Sequence, residues 1–394
     1  MPEKIVEAPR ALRRAVLPES FTRALYACAP YRGCGHGCRY CDGRAEKYYV
    51  EGDFERDIEI RDNLPSLLAE ELPSLRDRGM ISFGSGVTDA YQPLEEQARV
   101  TERCIPLLAE KGWPCLVITK SALIQRDLDE WRKVSSRGGF LLFMTVTGTD
   151  EEYRSRFEPG ASTYSKRFET LAMFHSAGII TGALAMPLLP FINDDEKAMS
   201  ALFGALRETG VSFIMPGGLT LRPGRQKNLY LETVAAHRPE LLPDYERLYA
   251  ENRPSGMPGK AAGATFQQRC KDELKKCGLP WTLPHSIYSK LLPQHDSLRI
   301  LLRDMVELYS ACGVSVRPLI ASADRYDDWL KMIRGEFRRR RSLPDDWLRD
   351  RFLNAVEMGE LDTVLANSKL ASFAGEVVDG GKVFDYLTLK LKDG

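Results

Sequence analysis

The stretch Tyr31–Asp42 reads YRGCGHGCRYCD, and its Cys34, Cys38 and Cys41 follow C-x3-C-x2-C spacing. One short loop of that spacing can carry three thiolates to a cubic iron–sulfur cluster, and three protein ligands leave one iron open. An open coordination position marks a catalytic metal rather than a structural one, because it accepts an exchangeable ligand. Gly33, Gly35 and Gly37 suit such a loop, where the chain turns tightly and its backbone approaches the bound group. Tyr40 places a ring next to the last cysteine, where a cofactor would lie. The plain alternative is a zinc knuckle or a set of buried thiols. Zinc wants a fourth ligand, and His36, inside the loop, is badly placed to close a tetrahedron with all three cysteines. His36 itself fits either a solvent-facing loop position or one near a cofactor.

Such a loop has to be presented by a scaffold, and the rest of the first half alternates strand and helix. The apolar run Leu25–Tyr31 leads into the cysteines as a first strand. Leucines at helical spacing follow over Asn63–Arg76. Strands are then expected at Met80–Gly84, Cys115–Thr119, Phe140–Thr147, Ile180–Leu188 and Val211–Leu221. Helices are expected between them at Glu95–Lys111, Asp127–Ser135, Lys166–Ala177 and Asp195–Thr209. This order predicts an α/β fold, a partial (β/α)6 TIM-type barrel of parallel strands with its site at the C-terminal strand ends.

Those strand ends carry polar residues. Gly84, Ser85 and Gly86 leave backbone groups free for a ligand's amino group, and Asp89 adds a carboxylate. Thr119 and Lys120 end the third strand; Lys120 fits a ligand contact or a rim lysine that snorkels to water. Thr145 and Thr147, two apart, share one face and offer hydroxyls to a ribose or a carboxylate, or simply fill a strand. Glu158 and Arg167 suit ribose hydroxyls and a carboxylate, or else pair with each other. Met215 on the sixth strand fits contact with adenine or ordinary packing.

The pattern C-x3-C-x-aromatic-C over Cys34–Cys41 resembles the signature of the radical S-adenosylmethionine enzymes. The phrases FGSGVTDAYQPLE from Phe83, Thr119-Lys120-Ser121, and Arg156–Ser162 (RFEPGAS) with the later Arg167 resemble the spore photoproduct lyase-like branch. The resemblance covers about residues 24–225. It implies a [4Fe–4S] cluster on Cys34, Cys38 and Cys41 and S-adenosylmethionine chelated to the open iron. Cleavage of that cofactor to a 5′-deoxyadenosyl radical would then abstract hydrogen from a substrate. It implies further that Tyr40, Gly84, Ser85, Gly86, Asp89, Thr119, Lys120, Thr145, Thr147, Glu158, Arg167 and Met215 line the cofactor. An electron donor such as flavodoxin or ferredoxin is implied as partner. Nucleic-acid repair or modification is the expected activity. One departure matters: spore photoproduct lyases carry a hydrogen-donor cysteine near the second strand's end, and FGSGVTD has none. Modification of a peptide or small metabolite is the alternative substrate reading, and a non-enzymatic iron–sulfur binding or sensor protein the alternative class.

The chain has 394 residues and a formal net charge of zero, so it lacks the overall positive field of a protein that coats nucleic acid. Nine cysteines without a disulfide-framework pattern fit a reducing compartment. The N-terminus lacks the apolar core of a signal peptide and no stretch has bilayer-spanning length, so a cytoplasmic protein without membrane contact is expected. Domains are expected at 1–23 (an extension), 24–225 (the barrel) and 226–394. The last is mainly helical, contacts substrate or caps the barrel, and ends in a β-hairpin across Asp379-Gly380. Cys270 and Cys277 fall on one helix as core thiols. Arg338–Arg341 is either a solvated face or a phosphate-binding patch.

Overall fold

The computed structural model describes residues 4–84 and 88–394. Six strands lie side by side in chain order: β1 (Tyr26–Cys28), β2 (Ile81–Phe83), β3 (Cys115–Thr119), β4 (Phe140–Thr145), β5 (Ile180–Leu188) and β6 (Ile214–Gly218). A short strand, Leu12–Arg14, extends the sheet beyond β1. The pairs β3–β4, β4–β5 and β5–β6 are parallel, with Cys115 opposite Phe140, Leu141 opposite Ile180 and Ala183 opposite Ile214. All six residues of β4 are buried, as a near-continuous apolar run in a sheet covered on both faces must be. Over it, Trp131 stacks on Phe140 with ring centroids 4.1 Å apart. Gly182 of β5 is required by packing, since a Cβ there would stand 2.1 Å from the Phe213 ring.

Helices Val100–Lys111, Leu128–Arg137, Tyr164–Ser176 and Glu196–Glu208 link the strands, each within a few residues of its expected bounds. The sequence sets their ends: Thr163 and Asp195 accept from Lys166 N–H and Ala198 N–H as N-caps, and Gly112 closes Val100–Lys111 at φ 59°. The helix expected over Glu95–Lys111 is broken at Arg99, whose φ is 51°. The expected first strand is also shorter. Tyr31–Arg32 leaves the barrel sheet to pair with Glu59–Arg61 in a separate sheet that Lys4–Val6 completes, and this is how the cysteine loop is entered.

The chain forms two compact units. The first comprises residues up to Leu12, Ala27–Glu71 and Ser82–Thr282. The alternation ends near 225, but this unit runs on because helix Arg225–His237 and helix Lys260–Cys277 pack on the barrel's own helices and on β6. The second comprises Arg13–Tyr26, Leu72–Ile81 and Leu283–Gly394. Its helices Gln294–Ala311, Arg317–Arg339, Trp347–Glu357 and Ser368–Val378 enclose buried ion pairs and end in a hairpin, Lys382–Asp385 with Lys390–Asp393. The hairpin turns elsewhere than expected. Asp379 and Gly380 finish a helix, both N–H groups donating to Gly375 O, and the reversal comes after Asp385, whose carboxylate accepts from Leu387 N–H and Thr388 N–H.

Candidate active site

Cys34 and Cys38 are buried and Cys41 is partly buried, Cys34 and Cys41 packing with Val50 and Phe54. Burial pushes the Cys34 thiol well up, and the charges of Asp89, Cys38 and Cys41 push it further, so the three sulfurs lie within electrostatic reach of one another. Burial takes Cys38 up to about 12 against the pull of the Lys120 ammonium. Among the described residues no three His, Cys, Asp or Glu side chains converge on a point that would hold a single ion. Three neighbouring thiols on one loop can each take a separate iron of a polynuclear cluster.

The loop is braced from several strand exits. Gly35 N–H donates to Gln92 Oε1 at 2.8 Å, while Thr88 Oγ1 and Gln92 Nε2 donate to Gly33 O at 2.8 and 3.3 Å. Arg39 N–H donates to Phe157 O at 2.9 Å, Arg44 Nε to Cys38 O at 3.0 Å, and Gln226 Nε2 to Tyr40 O at 2.9 Å. Gly160 N–H donates to His36 O at 2.9 Å, and a Cβ on Gly160 would stand 2.4 Å from Gly35 O. Gly33 and Gly37 take φ of 84° and 61°, which L side chains disfavour.

His36 is buried rather than solvent-facing, its Nε2 3.1 Å from Asp89 Oδ2 and its Nδ1 3.0 Å from Gly160 O. Asp89 also accepts from Thr119 Oγ1 (2.7 Å), Lys120 N–H (2.9 Å) and Tyr91 N–H (2.8 Å). Burial opposes its ionisation, but the His36 charge and these hydrogen bonds outweigh it and hold the carboxyl below its usual range. Asp89 and Thr119 are therefore committed to each other and to the loop.

Tyr40, Thr147, Glu158 and Arg167 come together as a second buried network. Glu158 accepts from the Tyr40 hydroxyl, the Arg167 guanidinium and, at 2.7 Å, Thr147 Oγ1, which stands 2.8 Å from Tyr164 OH. Arg167 also donates to Ser162 O at 2.9 Å and to Thr145 O at 3.1 Å, so Thr145 enters through its carbonyl. Burial would raise the Glu158 pKa, yet Arg167 and Lys120 bring it down to about 2. The pairing of Glu158 with Arg167 is thus real, and its anchored end is Tyr40. Lys120 sits differently. Its ammonium lies 5.8 Å over the Tyr40 ring and faces Cys38, Glu158 and Cys41, without a hydrogen bond or salt bridge of its own among the described residues. Burial lowers its pKa, and those negative neighbours more than restore it.

Gly84 follows β2 at φ 87°. Ser85 and Gly86 lie outside the described residues. Met215 is buried on β6 opposite Leu184. Sequence reasoning missed Gln92, Gly160, Tyr164 and Gln226 as loop and network partners. Gln92 and Gly160 stand inside the AYQPLE and RFEPGAS phrases and could have been singled out; Tyr164 and Gln226 carried no local signal.

Residues 29–203 match the family model of the Radical SAM superfamily. An uncharacterized protein of Mycobacterium tuberculosis is 29% identical over 230 residues, covering 57% of this chain and 67% of that protein. An uncharacterized protein of Methanocaldococcus jannaschii is 28% identical over 185 residues, covering 47% of this chain and 68% of that one. A structure of spore photoproduct lyase complexed with a dinucleoside spore photoproduct superposes with TM-score 0.51 at 15% identity, covering 69% of this chain and 78% of that one. At that identity the likeness is one of fold. No helix among the described residues is long and apolar enough to cross a membrane.

Proposed function

We propose that this chain, a radical S-adenosylmethionine enzyme, holds a [4Fe–4S] cluster on Cys34, Cys38 and Cys41 and uses it to abstract hydrogen from a nucleic-acid substrate. The observation that carries this reading is the set of three neighbouring thiols on a braced loop, faced by the Lys120 ammonium. When bound, the cluster and S-adenosylmethionine supply a 5′-deoxyadenosyl radical.

The protein's own contribution is to bind, orient and keep water out. Lys120 is suited to the methionine carboxylate, having charge to offer and no competing hydrogen bond among the described residues. Gly84, at the β2 exit, offers backbone to the cofactor's amino group. Tyr40, locked by Glu158, presents its ring beside Cys41 and under Lys120. Asp89, Thr119, Thr147, Glu158 and Arg167 act one step back, fixing the loop and Tyr40. Turnover needs an external electron donor such as flavodoxin or ferredoxin, and thiolate-bound iron of this kind belongs in a reducing, cytoplasmic setting.

Nucleic acid is favoured over peptide or metabolite because the fold is that of spore photoproduct lyase, whose structure holds a dinucleoside photoproduct. The reaction differs from photoproduct cleavage in its hydrogen donor. The nearest cysteines after β2, Cys104 and Cys115, are fully buried in a helix and in β3, out of a substrate's reach. The test is anaerobic reconstitution with iron and sulfide, reduction, and incubation with S-adenosylmethionine. Formation of 5′-deoxyadenosine supports the reading; a loaded, reduced protein that forms none overturns it.

A further inference from the structure

We infer that Phe191 and Arg269 form a substrate subsite at the barrel mouth, the ring stacking a nucleobase and the guanidinium meeting its phosphate. This rests on the function proposed above and adds the residues that hold the substrate. Phe191 lies three residues past β5 and is 46% exposed, with φ at 65°. That conformation is unfavourable for a bulky L side chain, and exposure denies the ring nearly half of the burial that would offset it.

The turn enforces the conformation from several sides. Phe191 N–H donates to Asp194 Oδ1 at 2.9 Å, and Leu189 N–H donates to Asn193 Oδ1 at 2.6 Å. The Tyr245 hydroxyl donates to Pro190 O at 2.5 Å. The ring's aromatic packing is an edge-on contact with Tyr245, at 5.5 Å between centroids. Strain that neighbours over-determine is characteristic of ligand sites.

Placement and charge point the same way. Asn193 Nδ2 donates to Thr147 O at 2.6 Å, tying this turn to the β4 exit, where Thr147 Oγ1 reaches Glu158, the partner of Tyr40. The second oxygen of Asp194 accepts from Arg269 Nη2 at 2.6 Å, and the Arg269 side chain is 38% exposed. One carboxylate thus joins the strained turn to a cation. Helix Lys260–Cys277, which carries Arg269, also brings Phe266 over the β6 exit, 3.3 Å from where a Cβ on Gly218 would stand. An exposed ring and a half-exposed guanidinium, joined through Asp194, match a nucleotide's flat base and its anionic phosphate.

The test is fluorescence anisotropy of a labelled oligothymidylate of about eight nucleotides on the reconstituted full-length protein, with thermal midpoints measured alongside. Phe191→Gly is expected to raise Kd about tenfold while leaving the thermal midpoint unchanged or higher, because strain is relieved. Phe191→Trp should bind within about twofold of the parent, and Arg269→Gln should weaken binding and flatten its salt dependence. A parent that does not bind, a Phe191→Gly variant that binds like the parent, or equal losses in Phe191→Gly and Phe191→Trp would each overturn the subsite. Failure of the parent to form 5′-deoxyadenosine counts instead against the proposed function, since the binding series decides the subsite alone.

Discussion

Arg167 in the barrel unit and Arg334 in the helical unit are both fully buried guanidiniums, and each meets buried carboxylates. Arg167 pairs with Glu158, which passes the constraint through the Tyr40 hydroxyl to the residue before Cys41. Arg334 donates to both oxygens of Asp296, at 2.9 and 2.7 Å, and lies 3.2 Å from Asp77. The chemistry is the same but the object held is not. In the barrel unit the ions fix a loop with little hydrophobic core of its own. In the helical unit they join a helix to a helix and to Leu72–Ile81, as core residues would. A buried ion pair is thus evidence about function only through what its far end holds.

Removing the proposed cluster ligands should separate the units most sharply. Cys34→Ala, Cys38→Ala and Cys41→Ala should each lose most cluster iron and all 5′-deoxyadenosine formation, read by iron assay and chromatography. Circular dichroism should leave the helical content of Leu283–Gly394 in place. One variant with full iron and activity removes that cysteine from the ligand set.

Breaking the two ion networks comes next. Arg167→Ala and Arg334→Ala each leave a carboxylate buried without its partner, at a cost of about 3–5 kcal/mol. Denaturant melts should register both. Only Arg167→Ala should also lower iron incorporation, because only there does the freed carboxylate release Tyr40. Equal iron loading in both variants, at matched folded fraction, would erase the distinction drawn between the units.

Acid should then tell the units apart. Glu158 has its pKa lowered from 4.5 to about 2, so its contribution is fully present above 4.5 and is lost as pH falls toward 2. His285 and His295 are lowered from 6.5 to about 4 by burial, so their contribution is present above 6.5 and is lost as pH falls toward 4. Asp304, raised by burial from 3.8 to about 6, works against them, since its protonation over the same window favours the folded state. Two losses against one gain leave the helical unit weaker between pH 6.5 and 4. Hydrogen exchange should show protection falling first in Gln294–Ala311 and holding around Tyr40 and Phe157 until below pH 4.5. The reverse order would show that other groups dominate.

What was legible in the sequence follows the same division. Strands β3 and β5 have the expected bounds because their apolar residues lie close together in sequence. The cysteine loop was legible because Cys34, Cys38 and Cys41 fall within eight consecutive residues. The role of the phrase AYQPLE was not. Tyr91 binds Asp127, Gln92 clasps Gly33 and Gly35, and Glu95 receives Thr101 N–H and Arg126, so the phrase positions the loop and a helix start. Residues that bind a cofactor and residues that brace its binders are equally polar and stand at the same strand ends, and only distances separate them. In the helical unit the partners are farther apart in sequence still. Arg23 meets Asp304 and Arg299 meets Pro18 O, pairs that no local pattern announces.

The run Arg338–Arg341 carries the finest form of this contrast, because four identical letters divide between the two uses. Arg338 is largely buried and donates to Asp77 at 2.8 Å, so it belongs to the same network as Arg334. Arg339, Arg340 and Arg341 are exposed, Arg340 pairing with Glu336 at 2.9 Å on its own helix. Arg338→Gln should therefore cost stability, since it takes a donor from a buried carboxylate. The triple change Arg339→Gln, Arg340→Gln and Arg341→Gln should cost no more than about 0.5 kcal/mol, as exposed substitutions do. If the exposed three meet phosphate, that triple variant should lower the salt slope of single-stranded DNA binding by about one unit for each phosphate left unneutralised. An unchanged slope would assign them to solvent and leave Arg338 as the run's one structural member.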